Sequence, residues 1–393
     1  MQVFREDFAF LRHTTGVYLD SASTSLKPDA VFDAIFRYHK YGASNVGRSN
    51  HRYATFSTQL YEHVREQVAD FINCASDEVL FTANCTDAIN LAASALTLPH
   101  TAHVIVSPYE HHSNLLPWRN KCRTSTMRLL PDGRIDLDHL DTLLSRNPTQ
   151  LVALCHASNV TGNVQPVSEI AAIAHSHGAL CLIDAAQTAG HISIDVNRIG
   201  CDFLALAPHK FLAPSGSGIL YARRDIQADM NCVRHGGGIV NRVTADTVDY
   251  APGPARFEAG TPNIDGVIGL GAAIEYLARV GLTRILHHNR QLDQYLHERL
   301  HGVEHIVSVF GRAPERIPVV SLRPTGNVDV AVIARLLSDR YSIALSSGYQ
   351  CNQVLYRSIG LTGGLRVSLH LYNSESDIDR LIEALTDLKP LMA

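Results

Sequence analysis

Two side chains stand just beyond consecutive apolar runs, and their types suit one kind of chemistry. Asp184 closes Leu180-Cys-Leu-Ile, with Gln187 three residues later, and His209-Lys210 follows Asp202-Phe-Leu-Ala-Leu206 and precedes a Pro-Ser-Gly-Ser-Gly turn. A carboxylate at the end of a buried strand is costly unless it meets a cation. A lysine held in such a place has its pKa lowered by burial and neighbouring positive charge, and can then serve as a Schiff-base amine. Singly each has a plain reading, a helix cap for Asp184 and an ordinary His-Lys pair for Lys210. Together they supply an anion for a pyridine nitrogen and an amine for an aldehyde, the partners that pyridoxal 5'-phosphate needs.

The phosphate of such a cofactor also needs a seat. Phe81-Thr-Ala-Asn-Cys-Thr86 leads into Asp87-Ala-Ile-Asn-Leu-Ala-Ala93, a loop feeding a helix N-terminus. Free N–H groups and the helix dipole favour an anion there, with a simple Thr or Asp cap as the alternative. Glu110-His111-His112, directly after the run His103-Val-Ile-Val-Ser107, offers an aromatic ring to cover the cofactor; an exposed polar histidine is the plainer alternative.

The elements that must position these groups are short apolar runs alternating with amphipathic helical patterns between about residues 60 and 225. The runs are 103–107, 151–155, 179–184, 202–206 and 218–221. Continuous rather than alternating apolar runs suit strands covered on both faces, so a mostly parallel sheet wrapped by helices is expected, with ligands beyond the carboxyl ends of its strands. Strand-like runs at 316–322, 341–345 and 365–371, with helical patterns at 328–340 and 376–390, suggest a smaller α+β domain. The expected division is an N-terminal segment of the small domain over 1–30, a cofactor-binding large domain over 31–265, a connecting helix over 266–301 and the C-terminal small domain over 302–393.

Bulk properties narrow the class. A chain of 393 residues, 46% hydrophobic and 18% charged, is long enough for about two or three folded units. The net charge of −4 and the lack of basic runs argue against nucleic acid or anionic lipid as a partner. No apolar stretch approaches the roughly 18 residues of a membrane span, and no leader pattern opens the chain, so a cytoplasmic protein is expected. The eight cysteines form no Cys-x-x-Cys pair or metal-like spacing. Cys155, Cys181 and Cys201 lie in apolar runs as small buried hydrophobes, whereas Cys351 lies outside them amid Ser, Gly and Asn, where a mobile, accessible thiol is expected.

From Tyr18-Leu-Asp-Ser-Ala22 to Leu381 the chain resembles the class V aminotransferase superfamily of fold-type I pyridoxal-phosphate enzymes, in its cysteine desulfurase and selenocysteine lyase branch. The stretches that carry the resemblance are Glu110-His-His-Ser-Asn-Leu-Leu-Pro-Trp118, His156-Ala-Ser-Asn-Val-Thr-Gly162, Asp184-Ala-Ala-Gln187, His209-Lys210 and Arg256-Phe-Glu-Ala-Gly-Thr-Pro-Asn263. The resemblance implies that Lys210 forms the Schiff base and moves the Cα proton, that Asp184 pairs with the pyridine nitrogen, and that His111 stacks on the ring. It also implies that Asn159 and Gln187 bond the phenolic oxygen side, that Cys85, Thr86 and His209 belong to the phosphate site, and that Arg366 grips the substrate carboxylate. Thr261 matches a residue reaching the phosphate of a neighbouring subunit, which implies a homodimer with sites at its interface. Cys351 matches the persulfide-forming cysteine, so conversion of cysteine to alanine, with sulfur left on Cys351 for an acceptor protein, is the implied reaction.

Several positions depart from the pattern of that branch. Ala207-Pro208 stands for Ser-Gly, Asn84-Cys85-Thr86 for Gly-Thr-Thr, Ser346-Ser-Gly-Tyr-Gln-Cys351 for Arg-Thr-Gly-x-His-Cys, and Gly47 for a histidine. Two phosphate-binding hydroxyls, an arginine and a histidine beside the thiol are thereby lost. Alternatives are a C–S lyase acting on cysteine or a cysteine conjugate, releasing pyruvate and ammonia without need of Cys351; an aminotransferase or epimerase; and, from another class, a non-catalytic binding protein on the same fold.

Overall fold

The computed structural model describes residues 2–99, 101–308, 310 and 312–392. Its centre is a seven-stranded sheet in the order Val79–Thr82, Gly218–Ala222, Phe203–Leu206, Leu180–Asp184, Leu151–Cys155, His103–Val106 and Arg123–Thr126. Gly218–Ala222 runs antiparallel to both its neighbours, and the other pairings are parallel. Alternate residues go to opposite faces: Ile105, Val152, Ile183 and Leu204 enter one apolar cluster, while Val104, Ala153, Leu182 and Phe203 enter another. Helices cover both faces, so both sets must be apolar, which is why these strands read as unbroken hydrophobic runs. The mostly parallel α/β sheet expected from the sequence is thus present. Two strands lie outside the expected runs: Arg123–Thr126, a polar edge strand with two exposed residues, and Val79–Thr82 at the opposite edge, buried and mostly apolar, whose Phe81 and Thr82 open the segment expected as a loop.

A four-stranded antiparallel sheet follows, in the order Ile306–Ser308, Val319–Pro324, Gly364–Ser368 and Ser346–Gly348, backed by helices Val330–Tyr341 and Glu375–Asp387. The N-terminal strand Val17–Tyr18 pairs with Ile343–Ala344, and a further bridge joins Asp20 to Ser368. Val17 and Leu19 lie in the same apolar cluster as Val320, Leu365 and Ile378.

The single connecting helix expected over 266–301 is two helices, Ile264–Val280 and Leu282–Leu300, bent by 76°. The cause is Gly281, whose φ of +88° suits a residue without a Cβ and breaks the helical path. Leu270 and Leu277 in the first helix join the main core, whereas Leu292 and Leu296 in the second join the C-terminal one. Among the described residues no single helix is long and apolar enough to cross a membrane.

Candidate active site

A cavity of about 390 Å³ opens at the carboxyl ends of the parallel strands, where such sheets bind ligands. Its lining includes Cys85, Thr86, His111, Asn159, Asp184, Gln187, His209, Lys210, Cys351 and Arg366. These are all of the sequence-expected site residues except Thr261, which lies exposed on the surface, its hydroxyl 3.4 Å from Asn45 Nδ2.

Asp184 ends its strand opposite Cys155 and is buried. Its Oδ1 accepts from the Ala186 backbone N–H at 2.9 Å and from the Cys85 thiol at 3.5 Å. Burial pushes its pKa up, while the Ala186 N–H and Lys210 draw it back down. Lys210 leaves the neighbouring strand through the short turn Pro208–Lys210. Its Nζ has no hydrogen bond or ion pair among the described residues; burial lowers its pKa, opposed by Asp184 and reinforced by Arg366. An unpartnered amine with an enlarged neutral fraction is what a carbonyl-binding lysine requires.

The thiol of Cys85 turns toward Asp184 and so steadies the carboxylate; the sequence alone suggested a place beside the phosphate. Asn84 caps the helix Cys85–Ala95 by accepting from the Asp87 N–H at 2.9 Å, leaving the Cys85 and Thr86 N–H groups without backbone partners. Loop and sheet touch so closely here that a Cβ on Gly218 would lie 2.3–2.5 Å from Asn84 backbone atoms. Gly218→Ala should therefore displace the phosphate loop, lowering the urea midpoint by the equivalent of about 1–3 kcal/mol and weakening cofactor retention on dialysis. An unchanged midpoint and unchanged retention would show that the loop yields freely.

His111 is oriented by Ser113, a residue the sequence reading did not single out. Nδ1 accepts from the Ser113 N–H at 3.1 Å and lies 2.8 Å from its hydroxyl, which in turn lies 2.7 Å from Thr86 Oγ1. An Nδ1 that accepts a backbone N–H leaves the proton on Nε2. Burial, then Lys210, His112 and Arg366, hold its pKa down to about 4, so the ring is neutral and can lie against an aromatic cofactor. His209 is likewise held down to about 4, chiefly by burial and Lys210. Its carbonyl accepts from the Ser25 N–H at 3.0 Å, anchoring the N-terminal segment beside the lysine.

Cys351 is exposed, as expected, but its turn is firmly tied. Gln350 and Cys351 both have left-handed φ, +45° and +56°. Asn159 Nδ2 donates to the Gln350 carbonyl at 2.8 Å, and the His112 N–H to the Cys351 carbonyl at 3.0 Å. The Gln350 amide is held at both ends, accepting from the Tyr356 hydroxyl at 2.6 Å and donating to the Gly364 carbonyl at 3.2 Å. These bonds hold the backbone on either side of Cys351, because glutamine can bond in both directions where it stands, and none of them engages the thiol itself. Gln187 lines the cavity while donating to the Ala22 carbonyl at 3.0 Å; its amide and that of Asn159 each keep one further hydrogen.

These groups fit pyridoxal phosphate. A buried carboxylate faces a free lysine amine, a neutral imidazole lies beside them, and a helix N-terminus with two spare N–H groups borders the cavity. The lost hydroxyl at Ala207 leaves Thr86, His209 and those N–H groups as phosphate donors.

A family model described as aminotransferase class-V matches residues 17–381. A protein of Halalkalibacterium halodurans named "Probable cysteine desulfurase" is 38% identical over 382 residues, 95% of this chain and 93% of that one. The apo structure of a cysteine desulfurase from Thermococcus onnurineus superposes with a TM-score of 0.92 at 33% identity, covering 99% of this chain and 97% of that one. A cysteine desulfurase from Escherichia coli does so at 0.91 and 34% identity, covering 100% and 98%. All are alike to this chain over nearly its whole length, and the fold is therefore that of the fold-type I pyridoxal-phosphate enzymes.

Proposed function

The chain belongs to the class V aminotransferase family, and from that premise we infer that it is a pyridoxal-phosphate-dependent cysteine desulfurase, converting L-cysteine to L-alanine and leaving the sulfur on Cys351. The observation that carries this reading is one cavity lined at once by the unpartnered Lys210 amine, the buried Asp184 carboxylate, Arg366 and the exposed Cys351 thiol.

Asp184 is the residue to face the cofactor's pyridine nitrogen, His111 to cover its ring, and Thr86 with His209 to hold its phosphate; Asn159 and Gln187 offer their remaining amide hydrogens to its phenolic oxygen. When bound, the cofactor supplies an electron sink for bonds at the substrate's Cα. Arg366 holds the substrate carboxylate through its guanidinium, fixing which Cα bond lines up. Lys210, partly neutral, takes the Cα proton. Cys351 as thiolate attacks the substrate sulfur, forming an S–S bond as the Cβ–S bond breaks. The bonds from Asn159 and His112 to the carbonyls of Gln350 and Cys351 place this residue at the cavity wall.

We further propose that a protein acceptor removes the persulfide at the exposed position of Cys351. A homodimer in which Thr261 reaches the neighbouring subunit's phosphate accords with that residue's exposure outside its own cavity.

Product analysis with cysteine separates this reaction from simple elimination. The unaltered enzyme should yield alanine and protein-bound persulfide, and Cys351→Ala should lose both by at least about a hundredfold. Equal release of pyruvate, ammonia and sulfide by both proteins would overturn desulfuration in favour of a C–S lyase.

A further inference from the structure

Arg366 already has an anion. Its side chain is 4% exposed, and Nη2 meets Asp20 Oδ1 at 3.0 Å and Ser23 Oγ at 2.5 Å. Nη1 donates to the Asn159 carbonyl at 3.3 Å, while Nε is buried and has no partner. Ser23 closes the triangle by donating to Asp20 Oδ1 at 2.7 Å. The arrangement is built into the backbone, since Asp20 bridges Ser368 on the strand that carries Arg366.

A guanidinium this deeply buried is costly without a counter-ion, so something must neutralise it while the cavity is empty. Asp20 does so, and its charge then opposes any carboxylate that arrives. Its side chain is 25% exposed, which lets it turn toward water, while Ser23 and the Asn159 carbonyl keep the guanidinium in place. The second Nη1 hydrogen remains for a ligand, joined by the Nη2 hydrogen that Asp20 releases when it turns away.

We propose that Asp20 is a built-in competitor of the substrate carboxylate, a residue that sets how tightly this enzyme holds amino acids. The inference rests on the reading of Arg366 as the carboxylate-binding residue. Substrate and product carry the same carboxylate, so the competitor loosens both, and alanine leaves more readily than it would from a bare arginine. A ligand without a carboxylate does not feel Asp20 in this way.

The test uses the full chain loaded with cofactor. Asp20→Asn keeps shape and the Ser23 contact while removing the charge. It should lower KM for cysteine and the inhibition constant of alanine together, by about fivefold, the size of a partly exposed charge pair. Inhibition by cysteamine, which lacks the carboxylate, should stay within about twofold. A raised KM would overturn the proposal, because Asp20 would then only orient Arg366; so would an equal shift for cysteamine. Asp20→Glu supplies an independent arm: the charge is kept on a longer stem, so KM should remain near that of the unaltered enzyme, whereas a large rise would mark an orienting role. Arg366→Gln must raise KM for cysteine. If it does not, the reading of Arg366 fails, an outcome distinct from failure at Asp20 alone.

Discussion

Lys210→Ala, reconstituted with pyridoxal phosphate, should consume cysteine at least about a thousandfold more slowly than the unaltered enzyme. The same protein should lack the visible absorption band of a lysine-linked cofactor. Two roles fall on this amine, covalent attachment and movement of the Cα proton, and no second unpartnered amine lines the cavity among the described residues. Lys27, the nearest alternative by its place beside His209, has its Nζ engaged with Thr24 Oγ1 at 2.8 Å and the His209 carbonyl at 3.3 Å. Steady-state rates and an absorption spectrum on one preparation settle the matter: a loss below about tenfold with the band retained would remove Lys210 from both roles.

Acid should unfold this protein early, and its histidines are the reason. His156 and His191, 7% and 6% exposed, are held down to about 4 by burial, and buried His370 lies well below its ordinary range. His111 and His209 are depressed as well. Each folded-state pKa lies below the unfolded value of about 6.5, so between these limits the unfolded chain binds more protons. Stability is therefore unaffected by these groups above about pH 6.5 and falls as pH drops toward 4, by about 3 kcal/mol for each of His156 and His191. Glu110 works in the opposite sense: burial, with Asp184 nearby, raises it to about 8, so it favours the folded state at low pH and loses that contribution as pH rises through 8. Asp184 is raised too, but five histidines outnumber two carboxyls. Urea midpoints measured at about pH 7.5, 6, 5 and 4.5 should decline progressively below about 6.5. A flat profile down to pH 4.5 would mean that the rings are protonated in the folded state.

What the sequence disclosed depended on how local the signal was. Asp184 and Lys210 announce themselves because each follows an apolar run, and strand ends are where a parallel sheet presents chemistry. Arg123–Thr126 was invisible for the converse reason: an edge strand with solvent on one flank need not be apolar. Gly281 sits within a helical pattern because a single glycine inside an apolar pattern is tolerated, and only its backbone angle reveals the bend. Asp20, Ser113 and the second function of Cys85 could not be read at all. Asp20 and Cys85 matter through partners distant in the chain, as with Asp20 and Arg366, 346 positions apart, and Ser113 through a bond to His111 only two residues away that composition does not reveal. The bonds around the Cys351 turn are no easier to read, since they come from residues 112, 159, 356 and 364.

The strand pairing of Val17–Tyr18 with Ile343–Ala344 has a consequence for how the protein comes into being. During synthesis the first of these segments leaves the ribosome more than three hundred residues before the second, and Arg366 later still. Until then the Asp20 segment has no strand to lie against, and the Ser21 hydroxyl lacks Tyr372, its partner at 2.7 Å. The large sheet with Asp184 and Lys210 can form while translation continues, but the wall that meets a substrate carboxylate closes only when the two ends of the polypeptide meet. A C-terminally truncated chain that lacks the strand Gly364–Ser368 would keep the lysine and its carboxylate neighbour but not the arginine of that wall.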